Sequence, residues 1–407
     1  MPRYFVSGLC MQGNKGGAAL ALSLMQMIQL HIPDAEFVFS VPGDDKEWPY
    51  EKEWAEKFGV EIVRNISLRN MVPPFCFARG RLEKLKIWWS ALRRCEAMIQ
   101  MSAVCYVGPP SGPGTFLSMI GSTRVQDFFL TRLASRPMFA WTQSYGPFTS
   151  QFVRFFAKRD LRKQKIIFCR GNDCRDEVKK LLPHADAMSF PDVAVALPFD
   201  NEWGGAYISQ KFSAGRFVVS LSPSAVLYSR SPRKNEDNPH VIQFSMIART
   251  LIKKGYSVLL VPHTCRPAQP NPKVCDLAVA QLVSSIVDDP DVKIVEENLS
   301  PKELKSIISN SKFHVGARYH SVVAALSSGV PAISMSWHPK YKDLMRSYGM
   351  EEFVIDEMAN DELIKTLLVS IDDKKEELPK TLKRNQDEVR DQSLQNAKLF
   401  CALLEGE

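Results

Sequence analysis

The sequence has no apolar stretch of the ~18–20 residues that a helix needs to cross a bilayer. It also contains no internal repeat, no low-complexity tract and no heptad array, which excludes repeat proteins, disordered chains and coiled coils. The composition is that of an ordinary globular protein, with 45% hydrophobic and 24% charged residues. We therefore expect a folded protein with a large core.

Cysteine spacing excludes two further classes. The nine cysteines are odd in number, show no Cys-x-x-Cys spacing and lie mostly in apolar stretches, which argues against a disulfide scaffold. Histidines and cysteines are scattered without the spacing of metal ligands, so we expect no metal site. The pattern favours reduced, buried thiols in a cytoplasmic protein.

The net charge of +7 is too small to indicate a nucleic-acid-binding protein. It fits a small anionic substrate or an anionic membrane surface. Residues 1–24 superficially resemble an export signal, but Gly13, Gly16 and Gly17 interrupt the continuous apolar helix that a signal requires. We therefore predict a cytoplasmic location.

Short β-type runs alternate with amphipathic helical patterns along the whole chain, which is typical of parallel sheets wrapped by helices. A chain of 407 residues exceeds one typical core. We predict an α/β protein with two Rossmann-like domains, residues 1–200 and 201–373, and a helical tail over residues 374–407. A glycine-containing linker is expected over residues 200–215. The two domains are expected to face a cleft that holds the ligand.

The most informative segment covers residues 313–320. A buried strand is predicted to end at Gly316, and a short loop then presents Arg318 and His320 at the start of a helix of small residues. A helix N-terminus attracts anions, and a guanidinium group matches a carboxylate or a phosphate. The alternative is that Arg318 pairs with a structural carboxylate and His320 caps the helix.

This segment resembles the polysaccharide pyruvyl transferase family, whose members share Gly-x-Arg-x-His, a following Gly-Val-Pro, and a lysine ahead of a later helix. The resemblance extends over roughly residues 4–350. The matching segments are Gly316-Ala317-Arg318-Tyr319-His320, Gly329-Val330-Pro331, Lys340 to Gly349, Gly13-Asn14-Lys15-Gly16, Gln143 to Phe148, Phe190 to Ala194, and Pro262-His263.

The resemblance implies a fold like that of the GT-B glycosyltransferases and the transfer of pyruvate from phosphoenolpyruvate to a sugar as a ketal. It implies a small anionic donor, a glycan or lipid-linked sugar as acceptor, and no cofactor. A general acid must protonate the donor's methylene carbon, and we assign this role to His320, with His263 as the second candidate. The predicted substrate-binding residues are Arg318, Gly316, Tyr319, Ser321, Asn14, Gly16 and Lys340.

The chain departs from the family pattern at three places. The family usually has an acidic residue where this chain has Gly17, the turn at residues 171–174 is altered, and residues 222–224 lack an arginine that Arg230 or Arg233 would have to replace. Two alternatives therefore stay open, a nucleotide-sugar glycosyltransferase of the GT-B fold and a non-catalytic relative that binds glycans or anions. For Asn14, a purely structural role in a tight turn competes with sugar binding.

Residues 79–94 combine basic side chains with leucines and tryptophans at helical spacing. This composition is typical of a helix that lies on a membrane surface, and it predicts peripheral contact with the inner face of the membrane. The alternative is an ordinary surface helix whose apolar stripe packs on its own domain.

Overall fold

The computed structural model describes residues 1–42, 45–66, 81–102, 104–106, 123–213, 215–336, 338–356 and 360–406. They form two compact units. Unit 1 comprises Met1–Gln12, Leu20–Val193 and Gln392–Glu407, and unit 2 comprises Gly13–Ala19 and Ala194–Asp391. This division differs from the predicted 1–200, 201–373 and 374–407, because the glycine turn near residue 13 groups with unit 2. That turn therefore shares a unit with His263 and His320.

Unit 1 is built on parallel strands. They are β1 (Arg3–Ser7), β2 (Glu36–Val41), β3 (Glu61–Arg64), β4 (Ala97–Gln100), β5 (Val104–Cys105), β6 (Met138–Ala140), β7 (Ser144–Tyr145), β8 (Ile167–Arg170) and β9 (Ala187–Phe190). Five of them form one sheet in the order β3-β2-β1-β4-β6, while β5 pairs with β7 and β8 pairs with β9. Strands β1, β2 and β4 are largely buried, which explains their continuous apolar sequences.

Six helices occur among the described residues between these strands. They are α1 (Lys15–Gln29), α2 (Trp48–Lys57), α3 (Arg81–Arg93), α4 (Thr123–Leu133), α5 (Gln151–Leu161) and α6 (Asn172–Leu181). The first residues of α1 belong to unit 2 and the remainder to unit 1. The Ser150 side chain accepts a hydrogen bond from the Val153 amide and so begins α5 in the expected way.

Unit 2 contains a six-stranded parallel sheet. Its strands are β10 (Val218–Ser222), β11 (Ser257–Leu260), β12 (Val292–Ile294), β13 (His314–Gly316), β14 (Ala332–Ser336) and β15 (Val354–Asp356). Their order is β12-β11-β10-β13-β14-β15. This is the doubly wound order, in which the direction of winding reverses between the first and fourth strands, here β10 and β13.

Nine helices occur among the described residues of the remaining chain. They are α7 (Asn201–Lys211), α8 (Ala225–Arg230), α9 (Pro239–Lys253), α10 (Asp276–Val287), α11 (Pro301–Ile308), α12 (Tyr319–Ser327), α13 (Lys340–Ser347), α14 (Asp361–Asp373) and α15 (Leu378–Glu405). Ser300 and Glu303 form a reciprocal capping box that fixes the start of α11.

The predicted linker over residues 200–215 is wrong, because most of it forms α7. Asp200 caps this helix by accepting a hydrogen bond from the Trp203 amide. A Cβ atom at Gly204 would lie 1.8 Å from the carbonyl oxygen of Ser306. The glycine therefore permits close packing of α7 on α11, and it does not mark a flexible segment.

The carboxyl-terminal part of α15 packs within unit 1. Phe400 stacks on Trp141 with ring centroids 4.5 Å apart, and the Trp141 indole N–H donates to Asn396 Oδ1 at 2.8 Å. Asn396 in turn donates to Thr142 Oγ1 at 2.6 Å. The end of the predicted helical tail is therefore docked in unit 1.

The basic helix predicted over residues 79–94 corresponds to α3, although Arg79 lies outside the described residues. Trp88, Ala91 and Leu92 are fully buried in a core cluster of unit 1 that includes Phe5. The apolar stripe therefore packs on its own unit, while Ile87 remains 53% exposed. Membrane contact stays a prediction, and no helix of the described chain is both long and apolar enough to cross a bilayer.

Candidate functional site

Three loops of unit 2 follow the carboxyl ends of neighbouring strands β10, β11 and β13. Open α/β sheets bind ligands at this edge, next to the point where the strand order reverses. The loop after β11 carries His263, and the loop after β13 carries Arg318 and leads to His320. The parallel sheet thus brings together two segments that are more than 50 residues apart in sequence.

Gly316 is required by the tight packing at the end of β13. A Cβ atom at this position would lie 2.6 Å from Ser321 Oγ and 2.7 Å from His314 Nε2. These two groups are hydrogen-bonded to each other at 2.9 Å, and Ser321 Oγ also donates to the Arg318 carbonyl oxygen. The residues Gly316 and Ser321 therefore shape the loop before α12, and direct contact with substrate stays a prediction for both.

Arg318 forms a bidentate ion pair with Asp276, the first residue of α10. Its Nε and Nη2 atoms donate to the two carboxylate oxygens at 2.7 and 2.6 Å. The Asp276 side chain is fully buried and also accepts the Ala225 amide at 2.7 Å. This is the carboxylate pairing that the sequence offered as the alternative for Arg318, and anion binding by Arg318 stays a prediction.

A narrow cavity of about 20 Å³ lies beside this loop within unit 2. Four basic side chains line it, namely Lys15, His263, Lys305 and His320, together with apolar groups such as Leu197 and Val323. No acidic side chain is among its described lining residues. The cavity is therefore suited to an anion with an apolar part.

Lys305 is the most unusual of the four groups. Its side chain is 2% exposed, and its ammonium group donates to the carbonyl oxygens of Val195 and Leu197 at 3.1 and 2.7 Å. Burial, reinforced by the charge of Arg390, lowers the pKa of Lys305 to about 7. In the described chain, no acidic group counters this shift, so an anionic ligand would supply the missing opposite charge.

Lys15, the first residue of α1, is also buried within unit 2. Its amide donates to the His263 carbonyl oxygen at 2.9 Å, and its ammonium group donates to Asn298 Oδ1 at 2.5 Å. Asn14 precedes it and accepts the Gly16 amide at 3.0 Å through its side chain. Asn14 therefore holds the turn, as its structural interpretation expected, and sugar binding by Asn14 stays a prediction.

His263 and His320 are the two predicted catalytic residues, and both line the cavity. Burial lowers the pKa of His263 to about 4, so this imidazole is neutral near pH 7. The ring of His320 lies directly against Gly16, where a Cβ atom would be 2.2 Å from Nδ1. Gly16 therefore leaves the space that the imidazole of His320 occupies.

Tyr319 and Lys340, two further predicted binding residues, lie against each other. The Lys340 ammonium group is 4.7 Å from the centre of the Tyr319 ring, which is a cation–π contact. Tyr341 packs edge-on against the same ring and donates to the Ala317 carbonyl oxygen. These contacts hold the loop that carries Arg318 in place. Substrate binding by Tyr319 and Lys340 stays a prediction.

Sequence reasoning missed Lys305 and Asp276 and did not select Lys15. A signal for Lys305 was present, because it is four residues after Pro301 and three before Ile308, both of which lie on the buried face of α11. A lysine at such a position is rarely buried unless it has a partner. Asp276 gave no such signal, because an acidic residue at the start of a helix is common.

Cysteine and metal predictions can be compared with the described residues only. The eight cysteines among them are free thiols, and seven are buried. The same part of the chain contains no group of three or more His, Cys, Asp or Glu side chains placed to hold a metal ion. The candidate chemistry thus rests on basic side chains.

The fold is shared with solved structures of low sequence identity. A UDP-N-acetylglucosamine 2-epimerase matches with a TM-score of 0.58 at 11% identity, covering 100% of this chain and 97% of that one. The Anabaena protein Alr3699/HepE, solved with UDP, matches with a TM-score of 0.57 at 12% identity over 100% of both chains. These similarities confirm the predicted α/β, GT-B-like fold class.

Sequence comparison identifies the family. The amylovoran biosynthesis protein AmsJ of Erwinia amylovora is 20% identical over 372 residues, which are 84% of this chain and 85% of that protein. A family model described as polysaccharide pyruvyl transferase matches residues 14–339, a span that includes Lys15, His263, Lys305 and His320. The chain is therefore a transferase that belongs to the polysaccharide pyruvyl transferase family.

Proposed function

We propose that this enzyme transfers pyruvate from phosphoenolpyruvate to two hydroxyl groups of a sugar in an exopolysaccharide or its lipid-linked precursor. Protonation of the donor's C3 carbon makes C2 electrophilic, and a sugar hydroxyl then forms a C–O bond to C2 and loses its proton. The bond from C2 to the phosphate oxygen breaks, and a second hydroxyl adds to C2 and loses its proton. The products are a cyclic ketal and inorganic phosphate.

The observation that carries this proposal is the cavity lined by Lys15, His263, Lys305 and His320. Phosphoenolpyruvate bears a carboxylate and a phosphate, and both need cationic or N–H donors. The buried ammonium group of Lys305 has no acidic partner in the described chain, so an oxyanion there restores electroneutrality.

His263 and His320 are assigned different roles in the reaction. His263 is neutral near pH 7 because burial lowers its pKa to about 4, which makes it a poor proton donor. We assign His263 to hydrogen bonding with the donor and keep His320 as the general acid. The cationic surroundings stabilise the negative charge that accumulates on the departing phosphate.

The first experiment measures thermal stabilisation of the purified enzyme by phosphoenolpyruvate and by UDP-sugars. At 100 times its Kd a ligand adds about 2.7 kcal/mol to the free energy of unfolding. We expect this shift with phosphoenolpyruvate, and we expect Lys305→Met to weaken binding at least about tenfold, because a buried charge-assisted contact is lost. Lys302→Met is the matched control, since it removes the same charge from a partly exposed position of α11.

The pH dependence of donor binding gives a second readout. Lys305 must be protonated to bind an anion, and its pKa in the free enzyme is about 7. Affinity is therefore highest below pH 7 and falls above it by up to about tenfold per pH unit. Lys305→Met should lack this fall. Stabilisation by UDP-sugars alone, or equal losses in Lys305→Met and Lys302→Met, would contradict the assignment.

A further inference from the structure

A second and larger cavity of unit 2 lies at the amino-terminal ends of α9 and α14 and beside α8. Its volume is about 530 Å³. Typical small-molecule sites measure ~300–1,000 Å³, so this cavity has room for more than a three-carbon donor. None of the four basic residues of the first cavity is among those that line it.

The base of this cavity presents a hydrogen-bond donor. His240 lines the cavity and is 6% exposed. Its Nε2 atom accepts the Ser224 amide at 2.8 Å, so the proton of the neutral ring resides on Nδ1. Burial lowers the pKa of His240 to about 3, which keeps the ring neutral. No hydrogen bond of Nδ1 is found among the described residues, so this N–H group is the candidate donor to a ligand oxygen.

Two arginines stand at the same cavity. Arg230 ends α8 and Arg233 follows it by three residues, and both are exposed. The single acidic lining residue among the described ones is Asp361, which leaves a positive balance. Guanidinium groups bind carboxylates and phosphates in a planar, two-pronged arrangement. The charge of the cavity therefore favours a ligand that carries an oxyanion.

The rest of the wall combines the polar side chains of Ser231 and Gln243 with an apolar part. Leu227, Pro232, Pro239 and Ile242 line the cavity, and Ile242 is 47% exposed. Sugar rings present C–H groups on their faces and hydroxyl groups on their edges. A lining that combines apolar side chains with arginine and imidazole donors matches an acidic sugar better than a free inorganic anion.

The cavity is also connected to the candidate active site. Ser224, whose amide binds His240, is followed by Ala225, whose amide donates to Asp276 at 2.7 Å. Asp276 holds Arg318 in the loop before His320. The turn between β10 and α8 is therefore hydrogen-bonded to His240 of the second cavity and to Asp276 of the candidate active site.

We propose that this second cavity binds an acidic sugar residue of the acceptor glycan, through Arg233, Arg230 and the Nδ1–H group of His240. The recognised chemistry is a sugar that bears a carboxylate or a phosphate. The role as acceptor site rests on the proposed pyruvyl transfer, whereas the binding of an acidic sugar is measurable without it.

Titration calorimetry with the full-length protein tests this assignment. A hyaluronan tetrasaccharide, which alternates glucuronate with N-acetylglucosamine, is compared with neutral chitotetraose and with glucose 1-phosphate. We expect the acidic tetrasaccharide to bind at least about tenfold more tightly than the neutral one. Arg233→Gln should remove this difference. Lys234→Gln, which removes the same charge from the adjacent exposed residue, should preserve it.

The outcomes separate this inference from the proposed function. Lys305→Met should lose phosphoenolpyruvate binding and keep the preference for the acidic tetrasaccharide. Binding of glucose 1-phosphate that Arg233→Gln abolishes also supports the assignment and identifies phosphate as the recognised group. Three results would overturn the proposal. The first is that the protein shows no preference for either acidic sugar, and the second is that Lys234→Gln loses the preference as fully as Arg233→Gln does. The third is that only a UDP-sugar displaces the bound tetrasaccharide.

Discussion

Gly16 lies in close contact with the imidazole of His320 in unit 2. Replacing Gly16 with alanine places a methyl group 2.2 Å from His320 Nδ1, so the imidazole must move. We expect Gly16→Ala to lower kcat by about 100-fold or more, the usual scale for a displaced general acid. Phosphate release from phosphoenolpyruvate in the presence of acceptor measures this effect.

A double-mutant cycle provides the control. If Gly16→Ala acts by displacing His320, it should cause no further loss in a His320→Ala background, because the affected side chain is already gone. Additive losses would show that Gly16 serves the backbone turn independently of His320. Circular dichroism of each variant should report a folded chain.

Individual side chains were only partly predictable from the sequence. Both His263 and His320 were predicted, and their placement at one cavity is explained by the rule that parallel strands expose their carboxyl ends at a common edge. Arg318 was predicted as an anion ligand, but whether a guanidinium group faces a ligand or a carboxylate depends on Asp276, 42 residues away. Lys305 was missed because a lysine in a short amphipathic helix is normally solvated.

Among the elements, the end of α15 makes the most specific contacts with unit 1. Phe400 is fully buried against Trp141 and Phe168. Truncation to alanine should lower the free energy of unfolding by about 3–5 kcal/mol, through lost burial and the cavity left behind. Urea denaturation followed by tryptophan fluorescence measures this change.

Leu394→Ala is the matched control on the same helix, since Leu394 is 38% exposed. We expect it to change the free energy of unfolding by less than about 0.5 kcal/mol. A small effect of Phe400→Ala would show that the docking of this helix contributes little to unit 1, and a large effect of Leu394→Ala would show that the loss is not specific to the buried face.

Elements were predicted well where the sequence had strong periodicity. The predicted alternation of β-type runs with helical patterns is seen in strands such as Ser257–Leu260 and Ala332–Ser336. Helix α7 was missed, because Gly204 and Gly205 normally disfavour helix. These glycines allow a tertiary contact, the close approach of α7 to α11. No local sequence pattern indicates such a contact.

At the scale of the whole molecule, acid should affect the two units in opposite directions. In unit 2, burial lowers the pKa values of His240, His263 and His314 to about 3, 4 and 3. Unfolded histidines bind protons below about pH 6.5 whereas these three do not, so unit 2 loses stability as pH falls from 6.5 toward 4. Each contributes up to about 1.4 kcal/mol per pH unit.

Unit 1 contains the opposite case. Burial raises the pKa of Asp127 to about 7, so the folded unit keeps a proton that the unfolded chain releases above about pH 4. Unit 1 therefore gains stability through this group as pH falls from 7 toward 4. Hydrogen exchange at pH 7 and pH 5, corrected for intrinsic rates, should show protection decreasing in unit 2 first.

Replacing His314 with glutamine should remove about one proton from the pH dependence of unit 2 and leave unit 1 unchanged. Earlier loss of protection in unit 1, or an unchanged pH dependence in the variant, would contradict this assignment. The sequence alone did not indicate these shifts, because they depend on burial by residues distant in the chain.

The contact between Gly16 and His320 also limits how this chain can evolve. A lineage that keeps the imidazole must keep glycine at position 16, whatever happens elsewhere in the first helix. Once His320 is replaced by a smaller side chain, position 16 is free to vary. The two positions should therefore change together among descendants, and a side chain at position 16 would mark a protein that has lost the proposed proton donor.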